Sequence, residues 1–155
     1  MTPEEALARE EIRATLAAYH LAGDRGRIDE LVETFAADGV LELPSGRYAG
    51  RPAIHAVLGG VGERSTAPPA PGPSRPGVLR HHLTTSHVRF AGPAAADVWS
   101  YFLVISAVGV DHSGRYVDRF VATPTGWLIA SRRVVVEWAA PDSVVGARML
   151  PQVAS

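Results

Sequence analysis

The sequence predicts an α+β domain in which helices come first and an antiparallel sheet follows. Apolar residues recur at helical spacing near the N-terminus, whereas the C-terminal half is rich in Val, Ile, Tyr, Phe, Trp and Thr. Short turn signals divide that half into sequential strands, which predicts antiparallel neighbours. The predicted strands cover residues 80–90, 96–109, 114–123 and 126–139. A chain of 155 residues fits one domain, 1–155, with a substantial core.

The first helix is predicted from a start signal at residues 2–5, where Thr supplies the capping hydroxyl, Pro the first helical position and Glu the third. Its apolar face carries Ala8, Ile12, Leu16 and Tyr19. Gly23 is expected to end the helix, which puts Tyr19 on the inward face of the last turn and Asp24 just beyond it. Asp24 could equally cap a second helix, whose apolar positions are Ile28, Leu31, Val32 and Phe35.

The middle of the chain links these helices to the sheet. A short strand is predicted at residues 39–44, and a third helix from residue 50 to about residue 60. Residues 61–79 hold five of the twelve prolines and no periodicity, which predicts a flexible surface loop or a flap over a pocket mouth. The tail, 140–155, is apolar enough to pack over the open end of the sheet or against a neighbouring subunit.

Composition excludes several classes of function. The net charge is −1 and no basic block occurs, so no nucleic-acid partner is expected. The absence of cysteine excludes disulfides and thiolate chemistry. The acidic start is unlike a signal peptide, and no apolar run approaches the ~18–20 residues that span a bilayer. A cytoplasmic protein without a membrane partner is therefore expected.

The segment 80–90 carries three of the six histidines, at His81, His82 and His87. A histidine titrates near neutrality and can take and return a proton, provided that a carboxylate fixes its tautomer. The carboxylates considered as partners are Asp24, Asp97 and Asp118.

A metal site is the alternative for these histidines, because His81 and His87 are predicted to share a strand face and Asp24 could add a ligand. It is disfavoured, because adjacent His81 and His82 point to opposite faces and no cysteine is available. No metal is therefore expected. No pattern supports a role for His20, His55 or His112.

Asp118 stands between aromatic residues on one predicted strand face, with Tyr116 and Phe120 as its neighbours on that face. An unpaired buried carboxylate is costly, so Asp118 is expected either to be paired within the sheet or to face a wet pocket. Nucleophile-elbow, dinucleotide and P-loop motifs are absent, which leaves no sign of a cofactor.

Several weak motifs occur together in a characteristic order. They are Tyr19-x4-Asp24, Asp38-Gly39-Val40, Gly50-Arg51-Pro52-Ala53-Ile54, His81-His82-Leu83-Thr84-Thr85, Gly114-Arg115-Tyr116-Val117-Asp118 and Gly126-Trp127-Leu128-Ile129. With this order the chain, from residue 4 to about 139, resembles the SnoaL-like branch of the NTF2-like superfamily. That branch is similar to scytalone dehydratase, the bile-acid 7α-dehydratases and hexachlorocyclohexane dehydrochlorinase.

The resemblance implies a cone-shaped barrel, in which N-terminal helices wrap a strongly curved, mostly antiparallel sheet around a deep apolar pocket. Carried over by position, it implies that His81 and Asp24 form the catalytic acid–base pair and that Tyr19 orients the substrate. His81 is preferred to His82 because it keeps the family's spacing along the strand. The resemblance also implies a homodimer or homotrimer.

The expected function is that of a cofactor-independent dehydratase, cyclase or isomerase acting on a bulky, apolar carbonyl, polyketide-like or steroid-like small molecule. Expected substrate-binding residues are Tyr116, Asp118, Trp99, Tyr101, Phe102 and Val104. Strand alternation places Trp99 and Tyr101 on the face opposite Phe102, so these cannot all line one pocket. An epoxide hydrolase is disfavoured, because the chain has no Asn and only one Gln.

A non-catalytic binding module or assembly subunit is the main alternative function. It is favoured by Val104 and Val108, which are the nearest matches to a polar pocket position in the dehydratases. A pocket without that polar group is less equipped to expel a poor leaving group.

Overall fold

The computed structural model describes residues 1–64, 78–143 and 145–150. Its helices are α1 (Pro3–Asp24), α2 (Ile28–Val32) and α3 (Arg51–Arg64), and a short 3₁₀ helix (Gly146–Met149) follows the sheet. Its strands are β1 (Phe35–Leu43), β2 (Gly46–Ala49), β3 (Arg80–Phe90), β4 (Ala95–Ser106), β5 (Gly109–Thr123) and β6 (Gly126–Ala139). The predicted α+β class and the four C-terminal strands are confirmed.

The six strands form one sheet in the order β2-β1-β6-β5-β4-β3. All neighbours are antiparallel except β1 and β6, which pair in parallel and are separated along the chain by α3 and four strands. Helix α1 packs against β6 and β3, and α3 packs against β1. The apolar face predicted for α1 is buried, with Ile12 fully inaccessible and Leu16 nearly so.

Helix α1 begins as predicted and ends slightly later. The hydroxyl of Thr2 accepts from the backbone N–H of Glu5, whose carboxylate accepts from the Thr2 N–H in return. Gly23, predicted to end the helix, lies inside its last turn. Gly26, with φ of 68°, adopts the left-handed conformation that stops it. Asp24 is therefore the last residue of α1.

Two other predicted boundaries were wrong. Phe35 belongs to β1, because parallel pairing with Ile129 of β6 draws this apolar residue into the sheet. The turn predicted at residues 111–114 is strand, and the β4–β5 connection turns at residues 107–108 instead.

Part of the predicted loop 61–79 is helical, since α3 continues to Arg64. Residues 65–77, which carry the predicted flap, lie outside the described residues, as do residues 151–155 of the tail. Of the helices that the structure describes, none has the length and apolar character to cross a membrane.

Candidate active site

A cavity of about 180 Å³ lies between the helices and the concave face of the sheet. Much of its wall is apolar, with Leu31, Phe102 and Val134 among the residues that line it. Polar side chains from α1, β3 and β5 complete the wall. They are Tyr19, His20, His81, His112 and Tyr116.

Asp24 and His81 meet at this wall, where the end of α1 approaches the start of β3. Nδ1 of His81 lies 2.7 Å from Oδ1 of Asp24, and the backbone N–H of His81 donates to Oδ2 of the same carboxylate at 3.1 Å. Because an ionised carboxylate only accepts hydrogen bonds, Nδ1 is the donor and Nε2 of the neutral ring carries the lone pair. The arrangement suits a proton acceptor at Nε2.

The alternative role of Asp24 as a helix cap is not observed. The N-cap of α2 is Arg27, and no side chain bonds to the start of that short helix. The carboxylate of Asp24 lies against His81 instead, and its side chain is only 9% exposed.

The other two histidines of β3 point away from His81. His82 is exposed, as strand alternation requires. The pairing of β3 with β4 skips register between Leu83 and Ser86, which turns His87 to the outer face, against the ring of Trp99. The prediction that His81 and His87 share a face was therefore wrong. Among the described residues no group of three or more His, Asp or Glu side chains could hold a metal ion.

Asp118 is paired within the sheet, which was one of its two expected states. Its carboxylate accepts from Nε of Arg132 at 2.9 Å and from Nη2 at 2.7 Å, and both side chains are fully buried. Burial raises the pKa of Asp118, and Arg132 beside it opposes that rise. The two-point geometry is that of a guanidinium–carboxylate ion pair. The prediction that Asp118 binds substrate was therefore wrong, because both of its carboxylate oxygens are bonded to Arg132.

Arg132 was expected, with Arg89 and Arg133, to serve subunit contacts or solvation at the outer sheet face, but it is fully buried beside two tyrosines of the cavity wall. Its guanidinium carbon lies 4.2 Å from the ring centres of both Tyr19 and Tyr116, so the cation is held between two aromatic faces. Burial raises the pKa of both phenols, which keeps them neutral hydrogen-bond donors. The cross-strand pairing of Arg132 with Asp118 was the available signal, but it depends on the strand register.

The predicted substrate-binding residues divide between the two faces of the sheet. Tyr116 and Phe102 line the cavity with stacked rings 4.6 Å apart. Trp99 and Tyr101 lie on the outer face, and Tyr101 is 57% exposed, so their predicted role in the pocket was wrong. Val104 is fully buried on the inner face.

A second histidine that lines the same cavity, His112, also pairs with a carboxylate, and this pair was missed in the sequence. Nδ1 of His112 lies 2.6 Å from Oδ1 of Asp111, and both side chains are buried. Neighbouring residues of a regular strand point to opposite faces, but β5 has a register shift at this position. Val104 of β4 pairs with His112, and the next residue of β4, Ile105, pairs with Val110. Asp111 is therefore an extra residue of β5 at this point. The signal, an Asp-His dipeptide after an apolar strand, was interpreted as a turn.

His20 separates this cavity from an outer groove. Its ring stacks on His81 with the ring centres 5.5 Å apart, and neither ring nitrogen has a hydrogen-bond partner among the described residues. Burial, together with the charge of Arg132, lowers the pKa of His20 to about 2. The ring is therefore neutral.

The outer groove runs between α1 and β3 and has a volume of about 780 Å³. It shares His20 and His81 with the inner cavity, so His81 is reached from both sides. Arg9 and Arg13 of α1 lie along the groove.

A sequence model of the SnoaL-like domain matches residues 4–133 of the chain. The chain belongs to the SnoaL-like family. No curated protein sequence matches it. The SnoaL-like assignment agrees with the solved structures that share its fold.

Three of these structures illustrate the range of the fold. A putative scytalone dehydratase from Novosphingobium aromaticivorans has a TM-score of 0.76 at 19% identity, covering 100% of this chain and 99% of that one. LinA has a TM-score of 0.73 at 12% identity, covering 90% and 93%. ActVI-ORFA from Streptomyces coelicolor has a TM-score of 0.70 at 20% identity, covering 83% and 97%. At these identities the likeness shows the fold alone, which is NTF2-like.

Proposed function

We propose that this SnoaL-like protein is a cofactor-independent acid–base enzyme in which His81, oriented by Asp24, moves a proton on a carbonyl-containing small molecule. The observation that carries the proposal is the 2.7 Å contact between Nδ1 of His81 and Oδ1 of Asp24 at the wall of a largely apolar cavity. A carboxylate holds the tautomer and stabilises the imidazolium that forms when the ring takes a proton.

In the simplest cycle, Nε2 of His81 removes a proton from a carbon next to a carbonyl group or an aromatic ring. The hydroxyl of Tyr19 donates to the oxygen on which negative charge develops, and the cation of Arg132 behind its ring strengthens that donor. His81 then returns the proton to a leaving hydroxyl, to another carbon or to a cyclised product. These endings correspond to a dehydratase, an isomerase and a cyclase.

The size of the cavity bears on the substrate. A cavity of about 150 Å³ binds benzene in an engineered protein. The 180 Å³ beside His81 therefore suits one substituted ring. A bulkier polyketide-like or steroid-like molecule exceeds this volume and would instead approach His81 from the 780 Å³ groove on the other side of the ring. The name of one structural neighbour, a putative scytalone dehydratase, supports dehydration among these endings.

The proposal is tested by proton exchange on a simple enolisable ketone. With 2-tetralone in D₂O, proton NMR should show enzyme-catalysed exchange at the carbon next to the carbonyl. His81→Ala should lower the rate constant by ~10²–10⁴-fold. His82→Ala, on the exposed face of the same strand, is the matched control and should keep the wild-type rate. Wild-type exchange that survives His81→Ala would exclude His81 as the proton-transfer residue.

A non-catalytic small-molecule-binding module is the second candidate, and the apolar character of most of the cavity wall favours it. Such a module would bind 2-tetralone, as seen by chemical-shift changes in residues of the cavity, without accelerating exchange. Binding without exchange at any pH would favour this reading over the enzyme.

Self-association is proposed through the outer face of the sheet, as a homodimer or homotrimer. Tyr101 is 57% exposed there, beside Trp99. Large exposed aromatic side chains are enriched at protein interfaces. Light scattering of the purified protein gives the number of subunits, and a monomer at micromolar concentration would contradict this proposal.

A further inference from the structure

We infer that His112, held by Asp111, is a second proton-transfer residue, which takes a proton from the substrate while His81 supplies one. The inference rests on the proposed function and deepens it: His112 takes over the removal of the carbon proton, and His81 keeps the step that supplies a proton. It is carried by the position of two histidines on the wall of one cavity, each with Nδ1 bonded to its own aspartate behind the wall.

The two histidines stand in one row across three strands. His81 on β3 pairs with Val104 on β4, and Val104 pairs with His112 on β5. Residues paired directly across a sheet point to the same face, so both imidazoles rise from the inner face on either side of a small side chain. Their ring centres are 6.5 Å apart. One small substrate can therefore contact both rings.

The hydrogen bonds around His112 orient its ring as those of a catalytic base do, which an ordinary core histidine does not require. Asp111 is fully buried and accepts from the hydroxyls of Ser106 at 2.8 Å and Ser143 at 2.6 Å. It also binds Nδ1 of His112, which leaves Nε2 as the ring nitrogen available to a ligand. A register shift in β5 is required to place both neighbouring side chains inward.

The residues behind His112 fix its ring. Phe102 contacts it edge-on at 5.9 Å between ring centres. Gly146 of the 3₁₀ helix lies so close that a Cβ there would overlap the Cβ and Cγ of His112. The ring therefore has one defined orientation, as proton transfer requires.

The electrostatic environment separates the two histidines. Burial lowers the pKa of His112, Asp111 opposes this, and a positive charge on His81 lowers it further. The titratable groups that face His112 among the described side chains are Asp111, His81 and, along the same strand, Tyr116. A proton on His81 therefore disfavours a proton on His112, which keeps Nε2 of His112 able to accept one from a substrate.

The reaction can be written for an enolisable ketone. Nε2 of neutral His112 takes the proton from the carbon next to the carbonyl, and the electron pair of the broken C–H bond forms the C=C bond of the enol. The π electrons of the carbonyl move to oxygen, which takes the proton from Nε2 of protonated His81. The enzyme keeps the same total number of protons, and the reverse steps with solvent deuterons complete the exchange.

The test is the pH dependence of 2-tetralone exchange in three variants. His112→Asn keeps a hydrogen-bond donor for Asp111 but has no basic nitrogen. It should lower the exchange rate constant by ~10²-fold. It should also abolish the part of the pH–rate profile in which the rate rises with pH. His55→Gln alters a matched surface pair, in which Nε2 of His55 lies 2.9 Å from Oδ1 of Asp29, and should change nothing. His81→Ala separates the inference from the proposed function.

The outcomes are distinct. If His81→Ala loses exchange while His112→Asn keeps at least a third of the wild-type rate, the inference fails and the proposed function stands. A uniform fall in rate at all pH values, with the profile unchanged, would show that His112 is merely structural. If the wild-type protein catalyses no exchange, or His81→Ala retains it, both fail.

A measurement on the wild-type protein covers the case in which His112→Asn does not fold. Imidazole ¹⁵N chemical shifts should show His112 as the neutral Nδ1–H tautomer at pH 7. An Nε2–H tautomer, or a protonated ring at that pH, would overturn the inference.

Discussion

The carboxylate of Asp24 accepts hydrogen bonds from both the backbone N–H and the ring Nδ1 of His81. The backbone bond fixes the carboxylate against the start of β3, and the ring bond then fixes the tautomer of the imidazole. Since Asp24 is the last residue of α1, the geometry of this pair depends on how α1 packs against the sheet.

Asp24→Asn should preserve the fold but impair proton transfer. An amide can turn its NH₂ group toward Nδ1, which would move the ring proton of His81 to Nε2 and remove the lone pair there. Exchange of 2-tetralone should fall by ~10²–10⁴-fold. Asp29→Asn, at the exposed partner of His55, is the matched control and should leave the rate unchanged. Equal rates in the two variants would show that the carboxylate charge of Asp24 is not needed.

Acid should destabilise the protein through His20. Its pKa falls from the ordinary value of 6.5 to about 2 in the fold, so below pH 6.5 the unfolded chain binds a proton that the folded chain does not. The contribution of neutral His20 is present in full above pH 6.5. It is lost as pH falls below 6.5, by up to about 1.4 kcal/mol per pH unit.

Replacing His20 by Phe tests this, since it keeps an aromatic ring against His81 and removes the titration. The free energy of unfolding in urea, measured from pH 7 to pH 4, should decline less steeply with falling pH in His20→Phe than in the wild type. The difference in slope should approach that of one bound proton, about 1.4 kcal/mol per pH unit. His55→Phe changes an exposed histidine and should leave the slope as it is. Parallel slopes in wild type and His20→Phe would mean that His20 is not buried in the neutral form.

The Arg132–Asp118 pair should be costly to break on one side only. Asp118→Asn leaves a fully buried guanidinium without its counter-charge and should lower the free energy of unfolding by about 3–5 kcal/mol. Replacing both residues, as in Arg132→Met with Asp118→Leu, should cost less than Asp118→Asn alone. Asp97→Asn, whose partners Arg89 and Arg119 are exposed, should stay within about 1 kcal/mol of wild type.

Urea denaturation of these variants provides the comparison. A loss for Asp118→Asn no greater than that for Asp97→Asn would show that solvent reaches Arg132. Because Arg132 lies between Tyr19 and Tyr116, Asp118→Asn should also weaken 2-tetralone exchange, even though Asp118 does not line the cavity.

Gly146→Ala should disturb the site more than the fold. The added methyl would overlap His112, so either the 3₁₀ helix or the imidazole must move. We expect a loss of exchange activity with a shift of the His112 imidazole resonances, and little change in the urea midpoint. Gly59→Ala in α3, where a Cβ meets nothing within 4 Å, is the control. Unchanged His112 resonances in Gly146→Ala would mean that the 3₁₀ helix does not pack against the His112 ring.

Much of the architecture was determined by local sequence patterns. The capping residues Thr2 and Glu5 and the apolar stripe of α1 specify that helix, because its periodicity can bury only one face. Turn residues and β-branched segments likewise specify β3 to β6 in order. The proximity of His81, Asp24 and Tyr19 was expected from a resemblance to the family, since spacing along the chain does not bring helix and strand together.

Only the tertiary structure decided which way several side chains face. Strand alternation predicts faces correctly until a register shift, after which every side chain reverses. One shift turns His87 outward, and another brings Asp111 and His112 inward together. The pairing of Asp118 with Arg132 depends in the same way on the alignment of β5 with β6. Such alignments arise from contacts between strands far apart in sequence, so no local pattern contains them.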